Sequence, residues 1–359
     1  MRMSPLLRKG LAVGIILLFI GTAVIPPSGQ TIGKASARGG HWLYVGGSGP
    51  GNYSKIQDAI NDSTPGDTVY VYRGIYYEAL QINVMNLSLI GEGKEVTTIN
   101  ASPVSSAIVI QQSYCLIQGF RIIASDDWLD EGIYILNNVD RTIIRNNNLS
   151  ENGRGIFIGY THNFHIIQNN LFYSNFYGLY FEEPFYDYTC WIQNNLFKDN
   201  EIGISTYGGR QLEISNNTFI NCRQYGITTV SRDSTFKNNV FIGNKRGLEV
   251  YNSQKVIRNH FEDNDLGLTL LEAHDSLITQ NNFIKNRRDV AFSEENLFTM
   301  NNWNGNYWGF SFHPKLIFGR RATSIPTLIQ IGPWTSYYII PWLNFDWHPA
   351  KEPFDISGV

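Results

Sequence analysis

Aromatic side chains recur at a regular spacing in the middle of the sequence, between residues 131 and 251. Tyrosine and phenylalanine rings can stack on the apolar faces of sugars, and neighbouring arginine and glutamate side chains can bind hydroxyl groups or uronate carboxylates. The pattern predicts a sugar-binding face with these substrate-binding residues: Tyr134, Phe157, Tyr177, Tyr180, Tyr207, Tyr225 and Tyr251. The alternative is that the rings only stabilise a sheet, because tyrosine favours strands and cross-strand aromatic pairs stabilise them.

Two glutamates and one arginine lie among these rings and are the candidates for catalysis. Hydrolysis of a glycosidic bond uses two carboxyl groups roughly 5 to 10 Å apart. Glu131 ends one acidic segment, residues 126–131, and Glu182 begins another, residues 182–187, with Arg154 between them in the sequence. If the protein is an enzyme, we predict that Glu131, Arg154 and Glu182 are its catalytic residues. The alternative is that both acidic segments are only solvated loops.

The composition excludes two broad classes of protein. Of 359 residues, 43% are hydrophobic and 14% aromatic, which is too rich in core-forming side chains for a disordered chain. The formal net charge is -3, whereas a nucleic-acid binder usually carries an excess of lysine and arginine, so we expect no nucleic-acid partner. Only 16% of residues are charged, while 36 are asparagine. This excess of asparagine is the first indication of a repeated architecture.

A repeat of about 22 residues explains the asparagine content and supplies the elements that would position the candidate residues. Its frame occurs eight times from Leu149 to Trp303, with an apolar column five positions earlier, from Ile144 to Phe298. Stacked at the strand spacing of about 4.8 Å, the asparagine column would form a ladder of amides at a bend. A glycine column, with Asp289 as the exception, predicts a second bend. The asparagine column comprises positions 147, 170, 195, 217, 239, 259, 281 and 301.

Units of the form Asn-Asn-x-Phe-x-x-Asn-x-x-Gly-Ile, with the opening segment 51–60, resemble the right-handed parallel β-helix superfamily of pectate-lyase-like enzymes. The segments 306–308 (Asn-Tyr-Trp) and 346–350 (Asp-Trp-His-Pro-Ala) look most like the carbohydrate-binding and sugar-hydrolase branch and the NosD-type copper-processing branch, especially archaeal surface proteins. The resemblance covers residues 42–359. It implies an all-β fold of about ten coils with three short strands each, and a groove on outward strands as the substrate site.

The same resemblance implies either lyase or hydrolase chemistry, or none. In the lyases an arginine or lysine base works with Ca²⁺ or another group that neutralises the uronate. The paired aspartates and the Gly-His-Gly pattern of the polygalacturonases are missing here, which disfavours hydrolysis. A noncatalytic structural or adhesive surface module is the alternative to carbohydrate binding, and we expect a monomer.

The two ends of the repeat region differ from its middle, as a solenoid requires, because each terminal coil would otherwise expose its core. Ser54-Lys55-Ile56-Gln57 has the pattern of a capping box and predicts a helix over residues 54–62 that covers the first coil. Residues 310–359 lose the repeat and are rich in proline and tryptophan, which predicts a packed C-terminal cap. The β-helix with its N-terminal cap is therefore predicted to span residues 38–309.

Residues 1–37 have the features of an export segment. Arg2, Arg8 and Lys9 precede an apolar run from Leu11 to Ile25, and Ala35-Ser36-Ala37 offers a cleavage site. We predict a signal peptide or, if it is not cleaved, an N-terminal membrane anchor. The protein is therefore expected outside the cytoplasmic membrane or on the cell surface, with no other membrane contact.

Metal and redox chemistry have little support in the sequence. Copper sites need clustered histidine, cysteine or methionine, but His162 and His165 lie about five coils from His274. We therefore predict that the NosD-type resemblance reflects a shared fold without copper ligands, and we expect no cofactor. The three cysteines match no metal or redox spacing, and we predict that they are buried or lone thiols.

Overall fold

Three sheets wind into a solenoid of about 11 turns in the computed structural model of the chain. The structure describes residues 40–103, 106–125, 127, 129–159, 164–182, 189–273, 275–294, 301–309, 314–324 and 337–356. Neighbouring strands of each sheet come from successive turns and are parallel, apart from one terminal hairpin. The predicted all-β parallel β-helix is therefore confirmed, with about one turn more than expected.

Each turn gives one short strand to each of sheets A, B and C. Sheet A contains Trp42–Val45, Thr68–Val71, Ser88–Gly91, Leu116–Gln118, Ile143–Arg145, His165–Gln168, Cys190–Gln193, Glu213–Ser215, Ser234–Lys237, Gln254–Ile257, Leu277–Thr279 and Asn302–Asn304. Sheet B contains Gly74–Tyr76, Thr97–Asn100, Arg121–Ile123, Asn148–Ser150, Leu171–Tyr173, Leu196–Lys198, Thr218–Ile220, Val240–Ile242, His260–Glu262 and Asn282–Ile284. Sheet C contains Leu80–Ile82, Ile108–Ile110, Glu131–Ile135, Arg154–Ile158, Tyr177–Phe181, Ile202–Thr206, Tyr225–Thr229, Arg246–Tyr251, Leu266–Leu271, Arg288–Glu294, Lys315–Ser324 and Tyr337–Asp346.

The predicted apolar columns face the interior of the solenoid. The column from Ile144 to Ile278 is fully buried, and the phenylalanine column forms a continuous stack with ring centroids 4.5 to 5.0 Å apart. Trp308 continues this stack, 4.5 Å from Phe283. The prediction that Trp303 holds this place is wrong, because Trp303 pairs with Ile278 in sheet A. Phe298 lies outside the described residues.

Seven of the eight predicted asparagines form a buried ladder, and the eighth is a different residue. At each step the backbone N–H and the Nδ2 of one asparagine donate to the Oδ1 of the next, at 2.9 and 3.0 Å from Asn195 to Asn217. The ladder ends with Asn306, not Asn301, as the acceptor for Asn281. The carboxylate of Asp346 then accepts from the backbone N–H and the Nδ2 of Asn306 at 2.9 and 3.0 Å, which closes the ladder.

At each bend beside the ladder, the left-handed backbone conformation and the ladder hydrogen bonds belong to different residues. The residue before each ladder asparagine has the left-handed backbone conformation, for example Asn216 at φ 56°. The side chain of the ladder asparagine makes the hydrogen bonds between coils. A second ladder of the same kind follows sheet B and is interrupted at Cys222, whose backbone N–H donates to Asn244. Its asparagines are Asn152, Asn175, Asn200, Asn244, Asn264 and Asn286.

The glycine column forms no bend, in contrast to the prediction. These glycines lie within the strands of sheet C, where the coils approach closely. A Cβ on Gly203 would lie 2.4 Å from the backbone oxygen of Gly226 and 2.8 Å from the ring of Phe219. The column is glycine because the backbone of the next coil, together with the stacked phenylalanines, leaves no room for a side chain.

The N-terminal helix is confirmed as Ile56–Asp62, but its predicted capping box is not formed. Lys55 occupies the N-cap position, and the carboxylate of Glu78 accepts from the backbone N–H groups of Ile56 and Gln57 at 2.9 and 3.0 Å. The cap therefore comes from a residue about 20 positions away in the sequence, in the next coil.

The C-terminal segment adds an antiparallel hairpin, Lys315–Ser324 with Tyr337–Asp346, to the end of sheet C. Its side facing the solenoid includes the buried residues Ile317 and Asp346, which cover the last turn. Within the described part of the chain, no helix is long and apolar enough to cross a membrane. The predicted export segment, residues 1–37, lies outside that part.

Candidate functional site

The ten predicted site residues lie on sheet C or directly after its strands. In register, Glu131 is followed by Arg154 and Tyr177 on successive coils, and Tyr134 is followed by Phe157 and Tyr180. Tyr134, Phe157 and Tyr180 alternate along their strands with buried residues such as Ile133 and Ile156, so their side chains point outward. Arg154 and Tyr177 lie three positions before the outward ring of their strand, across a glycine, and still reach the same face. The Arg154 guanidinium lies over the Phe157 ring, and the Tyr177 ring centroid lies 4.8 Å from that of Tyr180. The remaining members follow on the same sheet: Glu182, Tyr207, Tyr225 and Tyr251.

The rings form a ladder across neighbouring coils, and they differ in accessibility. The ring centroids of Tyr134 and Phe157 are 4.7 Å apart, and those of Phe157 and Tyr180 are 5.6 Å apart. Phe157 is only 5% exposed, so its ring supports its neighbours and is not open to a ligand. Tyr207, at 51% exposure, is the most open ring and lies edge-on to Tyr180 at 6.1 Å.

One exposed ring at this site was not among the predicted residues. Phe176 is exposed and lies 4.9 Å from the ring of Tyr177. Its position directly before Tyr177 in the repeat was a usable signal, because the turn between sheets B and C brings residues there to the edge of the same face. Phe176, Tyr177, Tyr180 and Tyr207 together form the open aromatic cluster of sheet C.

Glu131 and Arg154 form an ion pair behind the rings. The Oε1 of Glu131 accepts from Arg154 Nη1 at 3.0 Å, and its Oε2 accepts from the hydroxyl of Ser106 at 2.6 Å. The guanidinium of Arg154 lies over the rings of Phe157 and Tyr180, 4.6 and 5.0 Å from their centroids. Both oxygens of the 7% exposed Glu131 are therefore engaged, an arrangement typical of a positioning carboxylate rather than of a proton donor.

A second pair lies four coils further along the same sheet. Arg246 Nη1 lies 2.7 Å from Glu249 Oε2 and donates to the hydroxyl of Tyr225 at 2.8 Å. The guanidinium also lies over the Tyr225 ring, 5.1 Å from its centroid. Arg246 and Glu249 thus repeat, on another part of the face, the combination of arginine, carboxylate and aromatic ring formed by Arg154.

Burial reinforces the protonated state that the tyrosines on this face already have at neutral pH. Desolvation raises the pKa of Tyr177, Tyr180, Tyr225 and Tyr251 above the ordinary value of 10.0. The hydroxyls therefore stay protonated at neutral pH and can donate hydrogen bonds to a ligand.

The predicted acidic segments are only partly described. Glu182 is exposed and directly follows the strand Tyr177–Phe181. Asp127 and Asp130 lie on the turn before Glu131. Asp126, Trp128, Glu183 and Asp187 lie outside the described residues. The structure thus places Glu131 and Arg154 in direct contact, and Glu182 on the exposed border of the same face.

Among the described residues, no group of three or more histidine, cysteine or acidic side chains is arranged to hold a metal ion. His165 is buried, and desolvation lowers its pKa from 6.5 to about 4; His162 and His274 lie outside the described residues. Cys115, Cys190 and Cys222 are buried free thiols, as predicted.

A different group of aromatic residues is exposed on sheet A. Trp42 and Tyr44 lie beside Tyr70 and Tyr72 near the N-terminal end, with ring centroids 5.2 to 6.3 Å apart. These four residues, here called the sheet A cluster, lie on another face of the solenoid. They offer a comparison of similar ring chemistry away from the predicted site.

The chain matches the family model described as "Right handed beta helix region" over residues 95–241 and 131–284, which together span more than half of the sequence. A comparison with curated proteins found no match.

Solved structures give matches at low sequence identity. An open reading frame product of Geobacillus virus E2 has 12% identity and a TM-score of 0.50; the match covers 75% of this chain and 57% of that one. An alginate lyase from Paenibacillus sp. str. FPU-7 has 12% identity and a TM-score of 0.40, covering 73% and 95% of the two chains. The DFA-IIIase of Arthrobacter chlorophenolicus A6 has 12% identity and a TM-score of 0.43, covering 71% and 85%. Likeness at this identity concerns the fold alone.

Proposed function

We propose a carbohydrate-binding function for this chain, which belongs to the right-handed β-helix family. The ligand is a polysaccharide that lies along the outward face of sheet C, across the coils from Tyr134 to Tyr251. The observation that carries the proposal is the open aromatic cluster beside the buried ion pair of Arg154 and Glu131.

The cluster fits a sugar chain in two respects. Sugars present apolar C–H faces and a rim of hydroxyls, so a binding face needs rings together with hydrogen-bonding groups. Tyr207 and Phe176 offer exposed rings, while Tyr177 and Tyr180 combine a half-buried ring with a protonated hydroxyl. The rings are held by a ladder that runs from coil to coil, so binding orders few side chains and loses little conformational entropy.

Recognition is favoured over catalysis by the state of Glu131. Its carboxylate is held by Arg154 and Ser106 and has little exposure, so it lacks the free oxygen that an acid or nucleophile at a glycosidic bond would use. Of the three predicted catalytic residues, all of them within the described part of the chain, Glu182 is the one with an exposed carboxylate. A lyase or hydrolase activity therefore forms the second outcome to be tested, and a noncatalytic structural or adhesive module the third.

A glycan array followed by calorimetry on the full chain tests the proposal. We expect Tyr180→Ala with Tyr207→Ala to weaken binding roughly 30-fold, because each ring contributes on the order of 1 kcal/mol. The matched control removes two rings of the sheet A cluster, Tyr44→Ala with Tyr70→Ala, and should leave binding unchanged. Binding that survives the first double variant, or no binding to any glycan, would contradict the proposal. The structural or adhesive module would then be the remaining alternative.

Turnover is measured on the same glycans as release of reducing ends or unsaturated uronates. Binding without turnover supports recognition. Turnover that is lost in both Glu131→Gln and Glu182→Gln would instead make the protein an enzyme with those two residues in its machinery.

We also propose that the chain acts outside the cytoplasmic membrane, on the basis of the basic and apolar residues between Arg2 and Ile25. Mass spectrometry of the protein from its native host tests this. A mass that corresponds to a chain beginning after Ala37 indicates a cleaved signal peptide. An intact chain in the membrane fraction indicates an anchor. An intact chain in the cytoplasm would contradict the proposal.

A further inference from the structure

The charged side chains on the middle strands of sheet C balance one another. From Leu80–Ile82 to Leu266–Leu271, nine strands carry four charged residues, which are Glu131, Arg154, Arg246 and Glu249. They form two ion pairs, with N···O distances of 3.0 Å for Arg154 with Glu131 and 2.7 Å for Arg246 with Glu249. The formal charge of this stretch of the face is therefore zero.

The charge of each arginine is already balanced by a glutamate. Arg154 has a side chain 11% exposed and lies against two rings. Arg246 is more accessible, but it already contacts Glu249 and the hydroxyl of Tyr225. A ligand carboxylate brought to either guanidinium would also approach the glutamate of the pair, so attraction and repulsion largely cancel.

Beside the aromatic cluster the border of the stretch adds negative charge, and the exposed Lys245 lies further along the sheet, directly before Arg246. Glu182, which is exposed, directly follows the strand that carries Tyr177 and Tyr180. Arg232 lies on the bend after the strand Tyr225–Thr229. Arg288 begins the strand of sheet C that follows Leu266–Leu271, and it donates to the carbonyl oxygen of Val290 at 3.0 Å. A polyuronate, with one carboxylate per sugar, would place negative charge beside Glu182.

We infer that this face selects an uncharged glycan and rejects polyuronates. The inference rests on the proposed carbohydrate-binding function and narrows its ligand class. Neutral sugars need only hydroxyl partners and ring faces, which the tyrosines supply. A β-elimination reaction, which needs a uronate, is then not expected, and any turnover would be hydrolysis.

The test compares sugar chains that differ only in charge. Oligomers of alginate, galacturonan and glucuronan are each paired with their carboxyl-reduced form, and binding to the full chain is measured by calorimetry at low and at physiological salt. We expect a reduced, neutral member to bind at least about tenfold more tightly than its uronate, with a difference that shrinks as salt screens the repulsion. A uronate that binds as tightly as its reduced form, or more tightly, overturns the inference and leaves carbohydrate binding intact. Failure of every glycan, including those of the array, overturns both.

A charge variant tests whether Glu249 neutralises Arg246 toward the ligand. Glu249→Gln keeps the shape of the side chain and releases the charge of Arg246, so uronate affinity should rise about tenfold while binding of the neutral form stays the same. Glu213→Gln makes the same change in net charge at an exposed position of sheet A and serves as the control. Equal gains in both variants would show an effect of overall charge and overturn the inference. If Glu249→Gln does not fold, Glu182→Gln at the exposed border replaces it, with the same expected direction.

Discussion

Removing one amide from the middle of the first asparagine ladder should destabilise the solenoid strongly. The Oδ1 of Asn217 accepts from the backbone N–H and the Nδ2 of Asn195, and its Nδ2 donates to Ile192 O at 2.8 Å and to Asn239 Oδ1 at 3.1 Å. Asn217→Ala deletes these four bonds. It leaves the buried backbone N–H of Asn195 without an acceptor and the Nδ2 of Asn195 with Ile167 O alone. At about 1 kcal/mol for each bond, the free energy of unfolding should fall by about 4 kcal/mol.

The assay is guanidinium unfolding followed by circular dichroism, with the slope held common to all variants. Asn304→Ala is the matched control, because that side chain is exposed on the last strand of sheet A and should cost less than about 0.5 kcal/mol. If Asn217→Ala costs no more than this control, the ladder does not stabilise the fold and the reasoning is refuted.

Three further predictions concern buried residues of the solenoid interior. Cys222→Asn should continue the second ladder between Asn200 and Asn244 and raise stability by about 1 kcal/mol in thermal unfolding, whereas Cys222→Ala should not; equal effects would contradict this. Gly203→Ala should cost about 1–3 kcal/mol in denaturant unfolding, because its Cβ would meet a backbone oxygen at 2.4 Å, while Gly93→Ala, with no neighbour closer than 3.6 Å, should cost less; the reverse order would refute the steric argument. His165 stays neutral in the folded state down to pH of about 4, but the unfolded chain is protonated near 6.5. Stability is therefore full above pH 6.5 and should fall by about 3 kcal/mol more in the wild type than in His165→Gln on acidification to pH 4; identical pH profiles would contradict it.

The repeat made most of the fold predictable from the sequence. A strict order of apolar residues, asparagine and glycine at a period of about 22 can be satisfied only if successive coils stack in register, so the buried columns could be read directly. The period misidentifies the stacked residue where an insertion lengthens the last coil. Phe283 is followed 25 positions later by Trp308, and Trp303 occupies the expected place in the sequence while belonging to another sheet.

Contacts between coils were less predictable than the columns themselves. Glu78 caps the N-terminal helix, and Asp346 closes the asparagine ladder. Both residues are distant in sequence from the groups they bind, so no local pattern indicates these contacts. The pairing of Glu131 with Arg154 was readable in principle, since both residues directly precede a glycine of the repeat and therefore stack on adjacent coils. The predicted groove residues all fall on one sheet for the same reason, but the burial of Phe157 depends on its neighbours and not on its own position.

The most direct test of the proposed binding face is hydroxyl-radical footprinting of the full chain with and without the tightest glycan from the array. Oxidation of each tyrosine and tryptophan is quantified by mass spectrometry. If the glycan lies on sheet C, Tyr207 and Tyr180 should be protected while Trp42 and Tyr44 of the sheet A cluster remain as reactive as in the free protein. Protection of Trp42 and Tyr44 with no change at Tyr207 would contradict the account.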